Sequence, residues 1–279
     1  MALARRPTLN LIGAGHVGRV LGRLFEASGG FEVQDVLTRS GATAAAAVGF
    51  IGGGRAVDGL GQMRAADAWM LAVADDQIGP ACAALAAGHA LRGALVFHVS
   101  GAKSSAELAP AARAGALTAS AHPVRSFADP DAVARDFNGT FCGVEGDAGA
   151  LALLGTALAA IGARAVPIDA AAKTVYHAAS VFASNYLVTV LDAALRAYAA
   201  AGIPEALARE LARPLAEESM ANVFRIGPAA ALSGPIARGD MATVARQRQA
   251  LSGWDAPTGA LYQALVAPTA ALARRKREG

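Results

Sequence analysis

The chain has 279 residues, 54% of them apolar, and a formal net charge of +3, enough for one large or two ordinary domains around a sizeable core. The run Ala273-Arg274-Arg275-Lys276-Arg277-Glu278-Gly279 supplies much of that charge, which argues against nucleic acid as a partner. Two distant cysteines, Cys82 and Cys142, no H-E-x-x-H pattern and no unbroken apolar run of about 18 residues speak for a cytoplasmic protein with no metal and no membrane partner.

In chain order, the apolar residues 9–12 read as a first strand that breaks into Gly13-Ala14-Gly15-His16-Val17-Gly18, a G-x-G-x-x-G run continuing as a helical pattern. That order of strand, glycine turn and helix suits a dinucleotide pyrophosphate. Gly13 allows the sharp turn, Gly15 lets the backbone approach phosphate, and Gly18 lets the helix lie close to the sheet. The anion is then held by unpaired N–H groups at the helix start.

A second strand, residues 31–37, leads into Thr38-Arg39-Ser40, about 20 residues beyond the motif, where the ribose is read. A hydroxyl, a guanidinium and a second hydroxyl suit a 2′-phosphate, so the expected cofactor is NADP. Asp35 lies too early to form the tip unless the strand ends sooner.

Further apolar runs at residues 68–74 and 94–99 read as strands buried on both faces. Their carboxyl ends place Ala74, Asp75, Ser100 and Gly101 near the cofactor. Residues 117–121 bring His122 to the same rim, and runs at 140–144 and 163–166 complete the sheet. Residues 1–168 are thus expected to form an α/β, doubly wound Rossmann domain with a parallel sheet.

Residues 169–279 read as a smaller all-α domain. Asp169 caps a helix that meets no glycine or proline until Gly202 and Pro204. Pro204 opens another helix in which Pro214 is expected to introduce a kink. Gly227-Pro228 and Gly234-Pro235 mark a loop, Asp240 caps a further helix, and a last one follows Pro257. A helical surface of this kind commonly closes on a second copy, so a homodimer is expected.

Lys173, at the start of the long helix, is the leading proton-donor candidate, its ammonium expected in the cleft after the domain boundary. His177, Ser180 and Ser184 share its face, and Asn185 lies about a third of a turn away. The alternative is structural: Lys173 solvated, His177 a satisfied buried histidine, Asn185 a contact between helices. His122 is a candidate by its position alone. Arg238, within Ser233-Gly234-Pro235-Ile236-Ala237-Arg238-Gly239-Asp240, is a candidate for a substrate carboxylate, or a partner of a rigid turn capped by Asp240.

The chain resembles the bacterial Rossmann-like family of NADP-dependent oxidoreductases whose helical C-terminal domain long carried only a domain-of-unknown-function label. The resemblance lies in the glycine motif, His98-Val99-Ser100-Gly101-Ala102, His122-Pro123-Val124-Arg125-Ser126-Phe127, Val144-Glu145-Gly146-Asp147, Lys173-Thr174-Val175-Tyr176-His177-Ala178-Ala179, Ser184-Asn185-Tyr186 and the run from Leu232 to Asp240. It implies a C-terminal domain similar to those of 6-phosphogluconate dehydrogenase, ketopantoate reductase and pyrroline-5-carboxylate reductase, whose members reduce small acids or imines. Ketopantoate reductases and hydroxyacid dehydrogenases carry a lysine with an asparagine four residues later. Lys173 matches the lysine, but the fourth position here is His177 and the asparagine comes at Asn185. The expected function is NADPH-dependent reduction of a small carboxylated carbonyl compound, a 2-keto acid such as ketopantoate. An imine reductase or a non-catalytic NADP-binding sensor are the alternatives.

Overall fold

A computed structural model describes residues 5–278 of the chain. They form two compact units, the first ending at Phe182 and the second starting at Ala183. The first unit opens with β1 (Thr8–Ile12), α1 (His16–Ser28), β2 (Glu32–Leu37), α2 (Gly41–Ile51) and β3 (Arg55–Val57). It continues through β4 (Ala68–Leu71), α3 (Ile78–Gly88), β5 (Leu95–His98), α4 (Ala109–Arg113) and β6 (Leu117–Pro123). It closes with α5 (Pro130–Arg135), β7 (Phe141–Gly146), α6 (Ala148–Ala160), β8 (Arg164–Pro167) and α7 (Lys173–Val181).

The eight strands make one sheet in the order β3-β2-β1-β4-β5-β6-β7-β8. Successive residues of a strand point to opposite faces, and both faces are covered. Leu9, Leu11, Met70 and Phe97 enter one apolar cluster, while Ile12, Trp69, Leu71 and Val96 enter the other. This is the doubly wound arrangement expected from continuous apolar runs. Cys82 and Cys142 are both buried and free.

Two local devices hold β1 against β2. The register slips between Leu9 and Asn10, and the buried Asn10 Oδ1 accepts the Asp35 N–H at 3.1 Å. Asp35 is itself fully buried in ion pairs to Arg55 (3.0 Å) and Arg64 (2.8 Å). It is a mid-strand structural carboxylate, and the strand tip falls at Thr38-Arg39-Ser40.

The sheet departs from the expected parallel form at its far side. Strands β1 to β6 are parallel, but β7 runs antiparallel to β6 and parallel to β8. The link from β6 to β7 carries the six-residue α5. The reversal sets Glu145 opposite Ser120 and Gly143 opposite His122.

The long helix after Asp169 is three pieces. Asp169 accepts from the Ala171 N–H at 2.9 Å and starts a single 3-10 turn, Ala170–Ala172. Then come α7, a π-helical segment at Phe182–Tyr186, and α8 (Leu187–Ala200). A π turn takes more residues than an α turn, so face counting at 3.6 per turn from Lys173 does not carry through to Ser184 and Asn185. The division after Phe182 falls one helix later than the expected boundary at 168/169, because Lys173 ties α7 into the sheet.

The second unit adds α9 (Glu205–Ile226), α10 (Pro228–Ala231), α11 (Pro235–Arg238), α12 (Met241–Trp254) and α13 (Ala256–Glu278). Pro214 and Pro268 each lie inside a helix, in α9 and α13. The expected loop at 227–235 contains two single-turn helices, each begun by proline after a glycine of positive φ, Gly227 (83°) and Gly234 (95°). Asp240 caps α12 by accepting from the Thr243 N–H at 3.0 Å. Arg196 of α8 joins Asp255 (3.2 Å) and Thr258 (3.1 Å). One stretch, Ala170–Ala200, is long and apolar enough by composition to cross a membrane, which a count of unbroken apolar runs does not flag. It carries an Arg196–Asp192 ion pair (2.9 Å) and the buried Lys173.

Candidate functional site

The glycine motif is built as a cradle. Gly13 takes a positive φ of 87°, and a Cβ there would come within 2.5 Å of the Ala72 carbonyl oxygen. A Cβ at Gly18 would come within 2.7 Å of the Ala72 side chain, so Gly18 is what lets α1 lie against β4. Gly15 differs: a Cβ there meets nothing within 4 Å. It is the N-cap of α1, no side chain caps that end, and the first turn holds no acid. Open space over uncapped N–H groups fits a pyrophosphate. Ala14 is buried, Val17 half-buried, and His16 Nδ1 donates to the Phe127 carbonyl at 2.7 Å.

At the tip of β2, Ser40 caps α2 by accepting from the Thr43 N–H at 3.3 Å, and the Thr38 hydroxyl donates to the Ser40 carbonyl at 2.9 Å. Both hydroxyls therefore shape the turn. Arg39 beside them is exposed, and among the described residues it has no ion-pair or hydrogen-bond partner. One acid stands nearby: a Cβ at Gly41 would lie 2.6 Å from Asp58 Oδ1.

At the carboxyl ends of β4 to β6 a cluster forms around Gly101. A Cβ on Gly101 would collide with His177 Nδ1 and lie 2.8 Å from His122 Nε2, so the missing side chain is what admits both rings. The two imidazoles cross nearly at right angles with centroids 5.3 Å apart. His122 Nδ1 bonds the Tyr176 hydroxyl at 3.0 Å, and Gly143 leaves room for that hydroxyl. The Nδ1 of His177 is buried and, among the described residues, has no hydrogen-bond partner, unlike the satisfied histidine of the structural alternative. Burial pushes His122 down to about 4, with the charges of His177 and Lys173 acting the same way and Asp75 opposing. His122 is therefore a neutral hydrogen-bonding group at neutral pH.

Lys173 is neither solvated nor in an open cleft. It is 1% exposed, donates to the Ser120 hydroxyl, and pairs with Glu145 Oε1 at 3.3 Å. Burial draws its ammonium below the ordinary lysine value, with Glu145 opposing. The expectation of an ammonium reaching open cleft is corrected: the first turn of α7 faces the sheet. Glu145 is 6% exposed, and its two oxygens also accept from Ser105 N–H and Oγ, each at 2.7 Å.

Ser100 turns its loop by accepting from the N–H groups of Ala102 (3.1 Å) and Lys103 (3.0 Å). His98 is fully buried; it accepts from Ser100 N–H and donates to the Ser104 carbonyl at 3.0 Å, and burial pushes it down to about 4. Ala74 and Asp75 are exposed at the end of β4. Asn185 and Arg238 belong to the second unit, both exposed, Arg238 ending α11. Sequence reasoning left out Glu145, Ser120, Ser105 and Tyr176 as site residues. An acid directly after the apolar run 140–144 was the available sign for Glu145.

Among the described residues no group of three or more His, Cys, Asp or Glu is placed to hold a metal ion. A cavity of about 640 Å³ opens at the opposite, amino-terminal edge of the sheet, lined by Gly30, Phe31, Asp67, Arg92 and Leu153 among others. The groups able to do chemistry stand instead at the carboxyl edge, where open α/β sheets take ligands.

Residues 3–123 match a Rossmann-like domain, and residues 140–269 match a domain of unknown function, DUF2520. No curated protein sequence matches the chain. A protein of Bacteroides fragilis described as an NADP oxidoreductase superposes with a TM-score of 0.78 at 19% identity, over 95% of this chain and 98% of its own. A protein of Thermotoga maritima gives 0.70 at 25% identity, over 96% and 99%. An imine reductase of Myxococcus stipitatus, solved in complex with NADP+, gives 0.66 at 17% identity, over 98% and 94%. These likenesses extend along nearly the whole chain and agree with its fold. The chain thus carries, in order, a region that matches a Rossmann-like domain and a region that matches a DUF2520 domain.

Proposed function

We propose that the protein is an NAD(P)H-dependent oxidoreductase that reduces a C=O or C=N bond of a small compound. One observation carries this reading: the open, uncapped cradle at Gly15 and the two imidazoles at Gly101 lie along the same carboxyl edge of one sheet. The similar proteins described as an NADP oxidoreductase and as an imine reductase with NADP+ support it. Bound at this edge, a reduced nicotinamide supplies hydride. The chain's own residues supply the rest. N–H groups at the start of α1 hold the pyrophosphate, Arg39 takes the ribose 2′-phosphate, and His177 and His122 bond the heteroatom being reduced.

NADP preference rests on the unpartnered Arg39. Arg39→Ala is expected to weaken NADPH about tenfold or more, the size of a lost charge-assisted contact, while NADH binding stays within about twofold. Equal losses for the two cofactors, measured by fluorescence titration, would remove this assignment.

For the substrate, a 2-keto acid such as ketopantoate needs a proton donor, and with Lys173 sealed that task passes to His177. An imine reading has its own support. A protonated imine brings its proton with it, and His122 at Gly101 is uncharged, with Asp75 nearby. NADPH oxidation over a panel of 2-keto acids and cyclic imines tests both, comparing wild type with His177→Asn. A keto acid substrate should lose about 100-fold in kcat, an imine much less. Tight NADPH binding with no turnover on either class would leave the sensor reading.

A homodimer through the helical unit is part of this proposal. Leu207, Leu211 and Leu215 form an exposed stripe at four-residue spacing on α9, and Val188 and Phe224 are also bare, Phe224 at 89%. Stripes of that kind are closed by partners. Sedimentation should give twice the 28.0 kDa chain mass, and Leu211→Asp with Leu215→Asp should halve it. A wild-type monomer at micromolar concentration would end the dimer reading.

A further inference from the structure

Two segments meet at the imidazole pair, and neither is held there by apolar packing alone. The first is the loop after β5, residues 99–105, which turns at Ser100, presents Gly101 and ends at Ser105. The second is α7, which enters at Lys173 and presents Tyr176 and His177 one turn later. One carboxylate joins them. Glu145 Oε1 accepts from the Ser105 N–H at 2.7 Å and from Lys173 Nζ at 3.3 Å, and Oε2 accepts from Ser105 Oγ at 2.7 Å. Ser120, opposite Glu145 in the β6–β7 pairing, accepts from Lys173 and donates to the Ser100 carbonyl at 3.4 Å, closing the ring of contacts.

We propose that Glu145 is a positioning residue whose single carboxylate holds the Gly101 loop and the Tyr176–His177 helix at the spacing that lets both imidazoles face Gly101. The inference rests on the reading of that imidazole pair as the working end of the site. Its reach decides its role. The spacing is tight, since a single added methyl on Gly101 would collide with both rings, so a small parting of loop and helix changes what the rings contact. A glutamate spans from β7 to both segments; an aspartate keeps the charge but is one methylene shorter. The buried ion pair also makes an uncharged control available, because replacing both charges together avoids leaving one alone.

The test compares wild type, Glu145→Asp, and the double variant Glu145→Gln with Lys173→Met, all as the full chain. The readouts are the imidazole NMR signals of His122 and His177, assigned through His→Asn variants, and amide exchange at Ser105. Glu145→Asp should move both imidazole signals and exchange Ser105 about tenfold faster, with unfolding still cooperative. In the double variant the introduced glutamine still accepts from Ser105, while the introduced methionine bonds nothing. Ser105 exchange should then stay within about threefold of wild type, and the His177 signal should shift. Unchanged imidazole signals and Ser105 exchange in a folded Glu145→Asp protein would overturn the proposal. Should that variant fail to fold, the double variant decides: a shifted His177 signal supports positioning and an unshifted one refutes it. NADPH quenching of protein fluorescence is followed in parallel on wild type. Its absence would fail the functional reading while leaving the Glu145 readouts intact.

Discussion

Alanine at Gly13 should destabilise the first unit by about 3 kcal/mol, while alanine at Gly15 leaves its stability unchanged and weakens dinucleotide binding about tenfold. At Gly13 two costs add. A positive φ of 87° costs an L-residue about 1–2 kcal/mol, and the new Cβ meets the Ala72 backbone, which cannot yield as a side-chain tip can; such overpacking costs about 1–3 kcal/mol. Against a typical margin of about 5–15 kcal/mol, that lowers the melting temperature by many degrees. Gly15 has φ −64° and ψ −167°, open to any residue, and its Cβ points into empty space. The methyl would stand where a pyrophosphate must approach. Urea unfolding and NADPH titration of both variants separate the roles, and a Gly15→Ala protein that binds NADPH as wild type does would show that phosphate is not held there.

Lys173→Ala should cost about 3–5 kcal/mol in stability, the loss typical of breaking a buried pair on one side. The Glu145 carboxylate would keep its two bonds from Ser105 but lose its counter-charge at 6% exposure. Pairing Glu145→Gln with Lys173→Met should restore most of the loss, since neutral groups of similar size can replace a buried pair at little cost. A fall in turnover for Lys173→Ala alone therefore reports folding before it reports chemistry. Lys173→Ala as stable as wild type, with turnover abolished, would return Lys173 to the reacting atoms.

Much of the fold was legible because local chemistry and long-range order agree. The strand, glycine and helix order at residues 9–18 has one common outcome, and apolar runs without alternation told of strands covered on both faces. Asp240 announced itself as a cap from its place before a helical pattern. The reversal of β7 was not legible, because the apolar run at 140–144 reads the same in either direction. The same reversal hid Glu145, whose partners Ser105, Ser120 and Lys173 come from three distant segments. Lys173 showed the opposite failure. A lysine opening a helix reads as solvated or catalytic, and nothing local tells of a carboxylate waiting 28 residues upstream. The convergence of His122 and His177 depends on Gly101 having no side chain, a relation that only the folded chain displays.

Because β7 runs against β6, residues 124–140 leave the sheet and re-enter it on the rim where the glycine motif lies, with Val124 N–H donating to the Phe141 carbonyl at 2.8 Å. In a wholly parallel sheet that link would have to travel to the far edge. Here His16 of the glycine motif touches it directly through the Phe127 carbonyl. Rewriting the exposed residues of this link changes what overhangs the rim without touching the strands. A library confined to the exposed positions Ser126, Ala128 and Asp129 thus varies what overhangs the rim while Val133 and Phe137 of the same link keep their places in the core.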